Sequence, residues 1–189
     1  MGQIHILAIG GSLRENSRTK HAIELALDGA SHAEAEIEFF DLKDHPLPFY
    51  DDRKAIDSYS GSVFQLLDAA RSADGLIIGT PVYHGTLSGS VKNALDFLEL
   101  LGNDKPPYLT GKVVGLLSVA GGSAGMNAIN SLIAACYALK AWVLPRTAII
   151  PGEGFDEMGS LKDSSLVQRL TALGEEVVQA VETFSARRR

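Results

Sequence analysis

The fold is decided by residues 4–19, which read IHILAIGGSLRENSRT. Isoleucine, leucine and alanine dominate residues 4–9 with little alternation, a pattern typical of a strand that is covered on both faces. Gly10 and Gly11 then allow a sharp turn, and a helix-like stretch follows from about Ser17. The free N–H groups and the dipole at the start of a helix favour an anion. The stretch therefore predicts a strand, a tight anion-binding loop and a helix.

Five side chains in this loop are candidate phosphate ligands: Ser12, Arg14, Ser17, Arg18 and Thr19. Hydroxyl groups donate to phosphate oxygens, and a guanidinium group adds a charge-assisted bond. Neither the Walker loop nor the G-x-G-x-x-G dinucleotide fingerprint fits the spacing. A Ser/Thr-rich loop after the first strand suits a single phosphomonoester, as in flavodoxin-like folds that hold FMN. The alternative is that these residues only cap the helix, because Ser, Asn and Thr are good N-caps.

Composition limits the classes of protein that remain. The chain has 189 residues and a net charge of -6, which suits one domain over residues 1–189 and argues against a nucleic-acid partner. Its single cysteine, Cys136, excludes an internal disulfide and lies in an apolar segment, where a buried inert thiol is expected. No signal peptide or bilayer-length apolar run is evident, so we expect a cytoplasmic protein with no membrane partner.

Strand-like and helix-like segments alternate along the whole chain. The predicted strands cover about residues 3–10, 36–42, 75–80, 112–119 and 147–150. The predicted helices cover about residues 17–29, 62–71, 87–101, 124–140 and 164–185. This alternation predicts an α/β fold, namely a doubly wound five-stranded parallel sheet with helices on both faces. The simplest strand order for such a sheet is 2-1-3-4-5.

Ligands of such sheets bind at the carboxyl ends of the strands, so the loops after strands three and four also matter. The loop after strand three is Pro81-Val82-Tyr83-His84-Gly85. Tyr83 offers a surface for a flat heteroaromatic ring, although it could instead be a residue that packs against the following helix. For His84 alone, a solvated loop imidazole is the favoured interpretation.

The loop after strand four contains Ala120, Gly121 and Gly122. Two adjacent glycines let a ligand edge approach the backbone closely. The same residues could equally form a flexible connection.

Taken together, these loops resemble the NAD(P)H-dependent FMN reductase family. The sequence GSLR at 11–14, followed by Ser17, is similar to that family's G-S-L/P-R-x-x-S phosphate motif. The sequence PVYHGTLSG at 81–89, followed by KNALD at 92–96, is similar to P-x-Y-N-G-x-x-x-G-x-x-K-N-A-I-D. Residues 42–48 also resemble the family's loop after strand two. Two separated motifs in the same order and spacing make the resemblance specific.

The resemblance implies a flavodoxin-like fold, FMN as cofactor and NAD(P)H as the hydride donor, with electrons passed on to a small-molecule acceptor such as free flavin, a quinone or an azo compound. It implies FMN phosphate at Ser12, Arg14, Ser17 and Thr19, the flavin ring at Pro81, Val82, Tyr83, His84 and Gly85, and its pyrimidine edge at Ala120, Gly121 and Gly122. Because the cofactor supplies the chemistry, we expect no catalytic side chain. We also expect no metal site, since the five histidines show no metal-ligand spacing. The alternative function is a flavodoxin-like electron carrier that serves a protein partner.

Two positions depart from the family pattern. Asn often stands where this chain has His84, and another Asn often stands where it has Thr19. The Thr19 hydroxyl can still donate to phosphate. The change at His84 affects a residue expected near the flavin and the acceptor.

Helices three and four carry more apolar residues than one core face requires, including Phe97, Leu100, Met126 and Tyr137. Such residues either lie deep in the core or form an interface between subunits. The family resemblance favours the interface, and implies a homodimer or homotetramer. It also implies a flavin-dependent monooxygenase as a further partner, to which some relatives pass free reduced flavin.

Overall fold

A parallel β-sheet organises the protein, and the computed structural model describes residues 2–59, 61–121, 124–156 and 159–186. In chain order its strands are β1 (His5–Gly10), β2 (Glu36–Asp41), β3 (Gly75–Tyr83), β4 (Thr86–Leu87), β5 (Val113–Ala120) and β6 (Trp142–Pro151). The five parallel strands lie in the order β2-β1-β3-β5-β6. This is the predicted doubly wound order, with β4 as an additional short strand.

Two strands are longer than the sequence predicted. The third continues beyond residue 80 to Tyr83, because Val82 and Tyr83 pair antiparallel with Leu87 and Thr86 of β4. The last strand begins at Trp142 rather than at residue 147, because Trp142 and Val143 already pair with β5 before a register shift, after which pairing resumes at Thr147. Trp142 is therefore the first residue of β6, where it stacks on Phe184 with 5.2 Å between ring centroids.

Helices cover both faces of the sheet. Helices α1 (Arg18–His32) and α5 (Ser164–Ala186) pack on one face, and α2 (Gly61–Ser72), α3 (Gly89–Phe97) and α4 (Gly125–Ala138) pack on the other. Short 3₁₀ turns occupy Ile56–Ser58, Leu98–Leu101 and Gly152–Gly154. Successive residues of β1 belong to opposite cores, which explains why its apolar run does not alternate. None of the described helices has the length and apolar character needed to cross a membrane.

Helices α1 and α5 touch through their backbones. A Cβ atom at Gly174 would lie 1.8 Å from the Ala26 carbonyl oxygen, and one at Gly29 would lie 2.0 Å from the Thr171 carbonyl oxygen. Two glycines thus allow a closer approach than any side chain would permit. Since α1 starts at the loop after β1, this contact fixes the helix that carries the predicted anion site.

The apolar residues of helices three and four divide between core and surface. Phe97 is fully buried, and the centroid of its ring lies 5.0 Å from that of Tyr59. The apolar residues of the α3 region therefore belong to the core rather than to an interface. Cys136 of α4 is also buried as predicted, and burial raises the pKa of its thiol to about 12. Met126 and Tyr137 of α4 remain 48% and 63% exposed.

Candidate functional site

The carboxyl ends of β1, β3, β5 and β6 enclose a cleft with a volume of about 470 Å³. Binding pockets for small molecules typically fall in the range of about 300–1,000 Å³. The cleft is lined by Ser12, Arg14, Asn16, Arg18, Thr19, Pro81, Val82, Tyr83, Val119, Ala120, Gly121 and Gly152. Most of the predicted site residues therefore lie together, although they come from three separate loops.

The loop after β1 is anchored to the sheet before it enters the cleft. The Gly11 N–H donates to the Gly79 carbonyl at 3.0 Å, and the buried Ser12 hydroxyl accepts from the Arg14 N–H at 3.4 Å. Ser17 is the N-cap of α1, because its hydroxyl oxygen accepts from the Lys20 N–H at 3.0 Å. Ser17 therefore caps the helix, as the alternative interpretation of the loop predicted. Ser12 and Thr19 instead line the cleft.

Within the described part of the chain, no carboxylate neutralises the two arginines of this loop. Among the described residues, neither Arg14 nor Arg18 forms an ion pair with a carboxylate. The Arg18 guanidinium instead lies 5.9 Å from the centroid of the Phe155 ring. Two free cations at the start of α1 suit an anionic ligand.

The neighbouring Lys20, by contrast, is paired with a carboxylate of the protein. Its Nζ lies 3.1 Å from the buried carboxylate of Asp41, and this hydrogen bond raises the Lys20 pKa. Asp41 also accepts from the Lys43 N–H at 3.0 Å. Asp41 therefore has a structural role, because it holds both Lys20 and the start of the loop after β2.

The second wall of the cleft is a tight hairpin. Tyr83 and Thr86 pair across the two-residue loop His84-Gly85, whose φ angles are 50° and 82°. Positive φ at both central residues defines a type I′ turn, which favours Asn-Gly. Histidine, like asparagine, tolerates this conformation better than most residues. The departure from the family's Asn at His84 is therefore compatible with an unchanged backbone.

The side chains of this hairpin face different surroundings. Tyr83 lines the cleft and remains 42% exposed, so its ring is available to a ligand. His84 and Gly85 lie at the tip and do not line the cleft. Thr86 ties the hairpin to α4 through a hydrogen bond of 3.0 Å between its hydroxyl and that of Ser131.

The turn predicts opposite outcomes for two substitutions at His84. His84→Asn should retain both stability and FMN affinity, whereas His84→Val should lower the free energy of unfolding by about 1–2 kcal/mol, because a β-branched residue resists positive φ. Urea unfolding and flavin titration of both variants check this. Loss of turnover in His84→Asn with flavin still bound would instead give the imidazole a catalytic role.

The third wall follows β5 and β6. Ala120 is buried and Gly121 lines the cleft, while the predicted Gly122 lies outside the described residues. Gly152, which the sequence analysis missed, completes this wall. A Cβ there would lie 3.3 Å from both the Ala120 carbonyl oxygen and Nη1 of Arg18. The sequence could have indicated Gly152, because it directly follows the last strand of the sheet, at the same edge as the other loops.

A larger cavity of about 530 Å³ lies at the opposite edge of the sheet and includes Arg71, Lys112 and Phe184. Two of its cations, Arg71 and Lys112, already bind groups of the protein. The Lys112 ammonium donates to the Arg71 carbonyl at 2.9 Å and to the Ala73 carbonyl, and burial lowers its pKa. Arg71 pairs with Asp104. This cavity therefore offers less to an anionic ligand than the cleft does.

A doubly wound sheet with a hydroxyl-rich loop after β1 defines the flavodoxin-like class, and comparisons agree. The chain is 31% identical to an FMN-dependent NADPH-azoreductase of Staphylococcus aureus (strain USA300) over 182 residues, 93% of this chain and 94% of that protein. It is 31% identical to an NADPH azoreductase of Bacillus sp. (strain OY1-2) over 148 residues, 78% and 76% of the two chains. The flavoenzyme NAD(P)H:(acceptor) oxidoreductase FerB of Paracoccus denitrificans has a TM-score of 0.76 at 21% identity, covering 96% of this chain and 98% of that one.

The family model for NADPH-dependent FMN reductases matches residues 4–155. The chain belongs to this family, and it is an FMN-dependent NAD(P)H oxidoreductase. Family membership decides between the two functions that the sequence left open, in favour of an enzyme over an electron carrier.

Proposed function

We propose that the cleft binds FMN, with the phosphate at the start of α1. The observation that carries this proposal is a set of donors without protein partners. Among the described residues, the N–H groups of Ser12, Leu13 and Asn16 have no acceptor, and the two arginines have no carboxylate. The proposed phosphate ligands are the side chains of Ser12, Arg14, Ser17, Arg18 and Thr19. Ser17 accepts from the Lys20 N–H through its oxygen, so its O–H hydrogen remains available to phosphate.

The flavin ring is proposed to lie against the hairpin and the loop after β5. Pro81, Val82 and Tyr83 provide apolar surface within the cleft, and His84 and Gly85, at the tip of the hairpin, are proposed to meet the ring through their backbone. Ala120, Gly121 and Gly122 receive the pyrimidine edge, where small residues leave the backbone accessible. Bound FMN supplies hydride transfer from NAD(P)H and onward electron transfer. The protein's part is to hold the cofactor and to leave one side of the cleft open to donor and acceptor.

The acceptor is proposed to be a small molecule of the azo, quinone or free-flavin class. The exposed ring of Tyr83 at the cleft supports a planar aromatic acceptor. The names of both curated relatives support an azo compound, with NADPH as donor. Oxidation of NADPH and NADH, each followed with an azo dye, a quinone and free FMN in turn, separates these possibilities.

Arg14→Ala tests the phosphate assignment directly. A hydrogen bond to a charged group contributes about 1.5–3 kcal/mol, so FMN affinity should fall roughly ten- to hundredfold. Riboflavin, which lacks the phosphate, should lose little. Arg146→Ala is the matched control, because Arg146 pairs with Glu176 away from the cleft. Equal losses for FMN and riboflavin would place the phosphate elsewhere.

We also propose that the protein forms a homodimer through α4, or a homotetramer that contains this dimer. Met126 and Tyr137 are exposed and separated by about three helical turns, which places them on one face. Partly buried Ile133 continues the same face. Tyr137→Glu should convert the assembly to a monomer in analytical ultracentrifugation. A wild-type chain that sediments as a monomer would contradict the proposal.

The domain organisation, the cellular location and a second partner are also proposals. Residues 1–189 are proposed to form one FMN-binding domain, supported by a relative that aligns along most of the chain. A cytoplasmic location is proposed from the composition. A flavin-dependent monooxygenase is proposed as an additional partner if the enzyme releases reduced flavin, which a coupled assay with such a monooxygenase would detect.

A further inference from the structure

Two serine hydroxyls converge on one backbone carbonyl beneath the phosphate loop. Ser90 donates to the Gly11 carbonyl oxygen at 2.6 Å, and Ser88 donates to the same oxygen at 3.1 Å. Ser88 is itself buried and held in place, because its N–H donates to the Thr80 hydroxyl oxygen at 2.9 Å. Thr80 is the residue immediately before the hairpin wall. The first turn of α3 is thus hydrogen-bonded to the loop after β1.

The Gly11 carbonyl shares a peptide unit with the Ser12 N–H. This peptide bond is trans, so the two groups point in opposite directions. With the carbonyl bound on the α3 side, the Ser12 N–H points away from α3. Ser12 is buried, and no acceptor within the described part of the chain takes its N–H. A donor beside the cleft that has no protein acceptor is available to a ligand there.

The loop after β1 packs closely against the first turn of α3. A Cβ at Gly11 would lie 2.0 Å from Cγ2 of Val91 and 2.9 Å from the Ser88 hydroxyl oxygen. The loop therefore stands directly on the first turn of α3. Two hydrogen bonds to a carbonyl also polarise its peptide unit, which makes the attached N–H a stronger donor.

We propose that Ser88 and Ser90 are positioning residues, which hold the Gly11 carbonyl and thereby direct the Ser12 N–H at the FMN phosphate. The inference rests on the proposed function, because it requires the phosphate to lie at this loop. It assigns to the N-cap residue and a first-turn residue of α3 a role in cofactor selectivity without contact with the cofactor. Their effect is specific to phosphorylated flavin, since riboflavin has no group at that position.

Ser90→Ala is the primary test, because Ser88 also caps α3 through the Val91 N–H. One hydrogen bond is worth about 0.5–1.5 kcal/mol, so FMN affinity should fall about fivefold while riboflavin affinity stays within about twofold. Ser90→Thr keeps the hydroxyl and should restore FMN affinity. Ser72→Ala is the control, since it removes a hydroxyl-to-carbonyl bond of 3.1 Å away from the cleft. A Ser88→Ala/Ser90→Ala variant should lose about tenfold or more in FMN affinity.

The chemical shift of the Ser12 amide proton provides a second measurement, which a purely structural role of Ser90 would leave unchanged. On FMN addition, the Ser12 amide proton should shift downfield in the ¹⁵N-labelled wild type and less so in Ser90→Ala. The inference would be overturned if Ser90→Ala kept the FMN affinity of the wild type and showed the same Ser12 shift on FMN addition. This conclusion requires that Arg14→Ala weakens FMN more than riboflavin. If Arg14→Ala does not discriminate the two flavins, the phosphate assignment itself fails. The two failures are thus distinguishable.

Discussion

Gly174→Ala is expected to lower the free energy of unfolding by about 3 kcal/mol or more, at the upper end of the usual cost of overpacking. The added Cβ would lie 1.8 Å from the Ala26 carbonyl oxygen and 2.7 Å from the Ala30 nitrogen. Both are backbone atoms, so no side-chain rotation can relieve the clash. Helices α1 and α5 would have to separate, and α1 would shift where it begins, at the phosphate loop.

Urea unfolding followed by Trp142 fluorescence measures this effect, because Trp142 stacks on Phe184 of α5. FMN affinity should fall along with stability. Gly61→Ala is the matched control, since no atom lies within 4 Å of its added Cβ. An unfolding midpoint equal to that of the wild type would show that the two helices separate more easily than their backbone contact implies.

Gly11→Ala should have the second largest effect, and its main consequence should be the loss of FMN. The new methyl group would overlap Cγ2 of Val91, which is fully buried and stiff at χ1. The loop would then lift from α3 and lose both serine hydrogen bonds. We expect a loss of about 2–3 kcal/mol in stability and, because the proposed phosphate donors move together, roughly a hundredfold loss of FMN affinity.

A second substitution separates steric overlap from any other effect of Gly11→Ala. Val91→Ala removes the overlapping methyl groups, so the Gly11→Ala/Val91→Ala variant should bind FMN more tightly than Gly11→Ala alone. Gly89→Ala serves as the control at the start of α3, where the added Cβ meets open space. Full FMN affinity in Gly11→Ala would contradict the close packing on which the phosphate loop depends.

Most of the fold could be predicted from the sequence because the three central parallel strands, β1, β3 and β5, are buried on both faces. Such strands read as continuous apolar runs, and residues 4–9, 75–80 and 112–119 all do so. The errors occurred where pairing depends on a partner that sequence periodicity does not reveal. The end of β3 pairs with Leu87 outside the main sheet, and β6 starts before a register shift at Pro145.

The candidate site was predictable to the extent that it consists of loops after strands. The rule that ligands bind at the carboxyl edge selected the loops that hold Ser12, Tyr83 and Ala120. Gly152 was missed although it follows the last strand at the same edge, and Asn16 was missed although it lies within the loop after β1. The hydrogen bonds from Ser88 and Ser90 were equally inaccessible, since they join residues nearly eighty positions apart in the chain.

Cys136 gives this protein a practical advantage for spectroscopy. It is the only cysteine in the chain, and its buried thiol, with a pKa of about 12, is almost entirely protonated at neutral pH. A cysteine introduced at an exposed position such as Gln65 would then be the single reactive thiol. A fluorophore or spin label can therefore be attached at one chosen atom of the native chain without first removing Cys136.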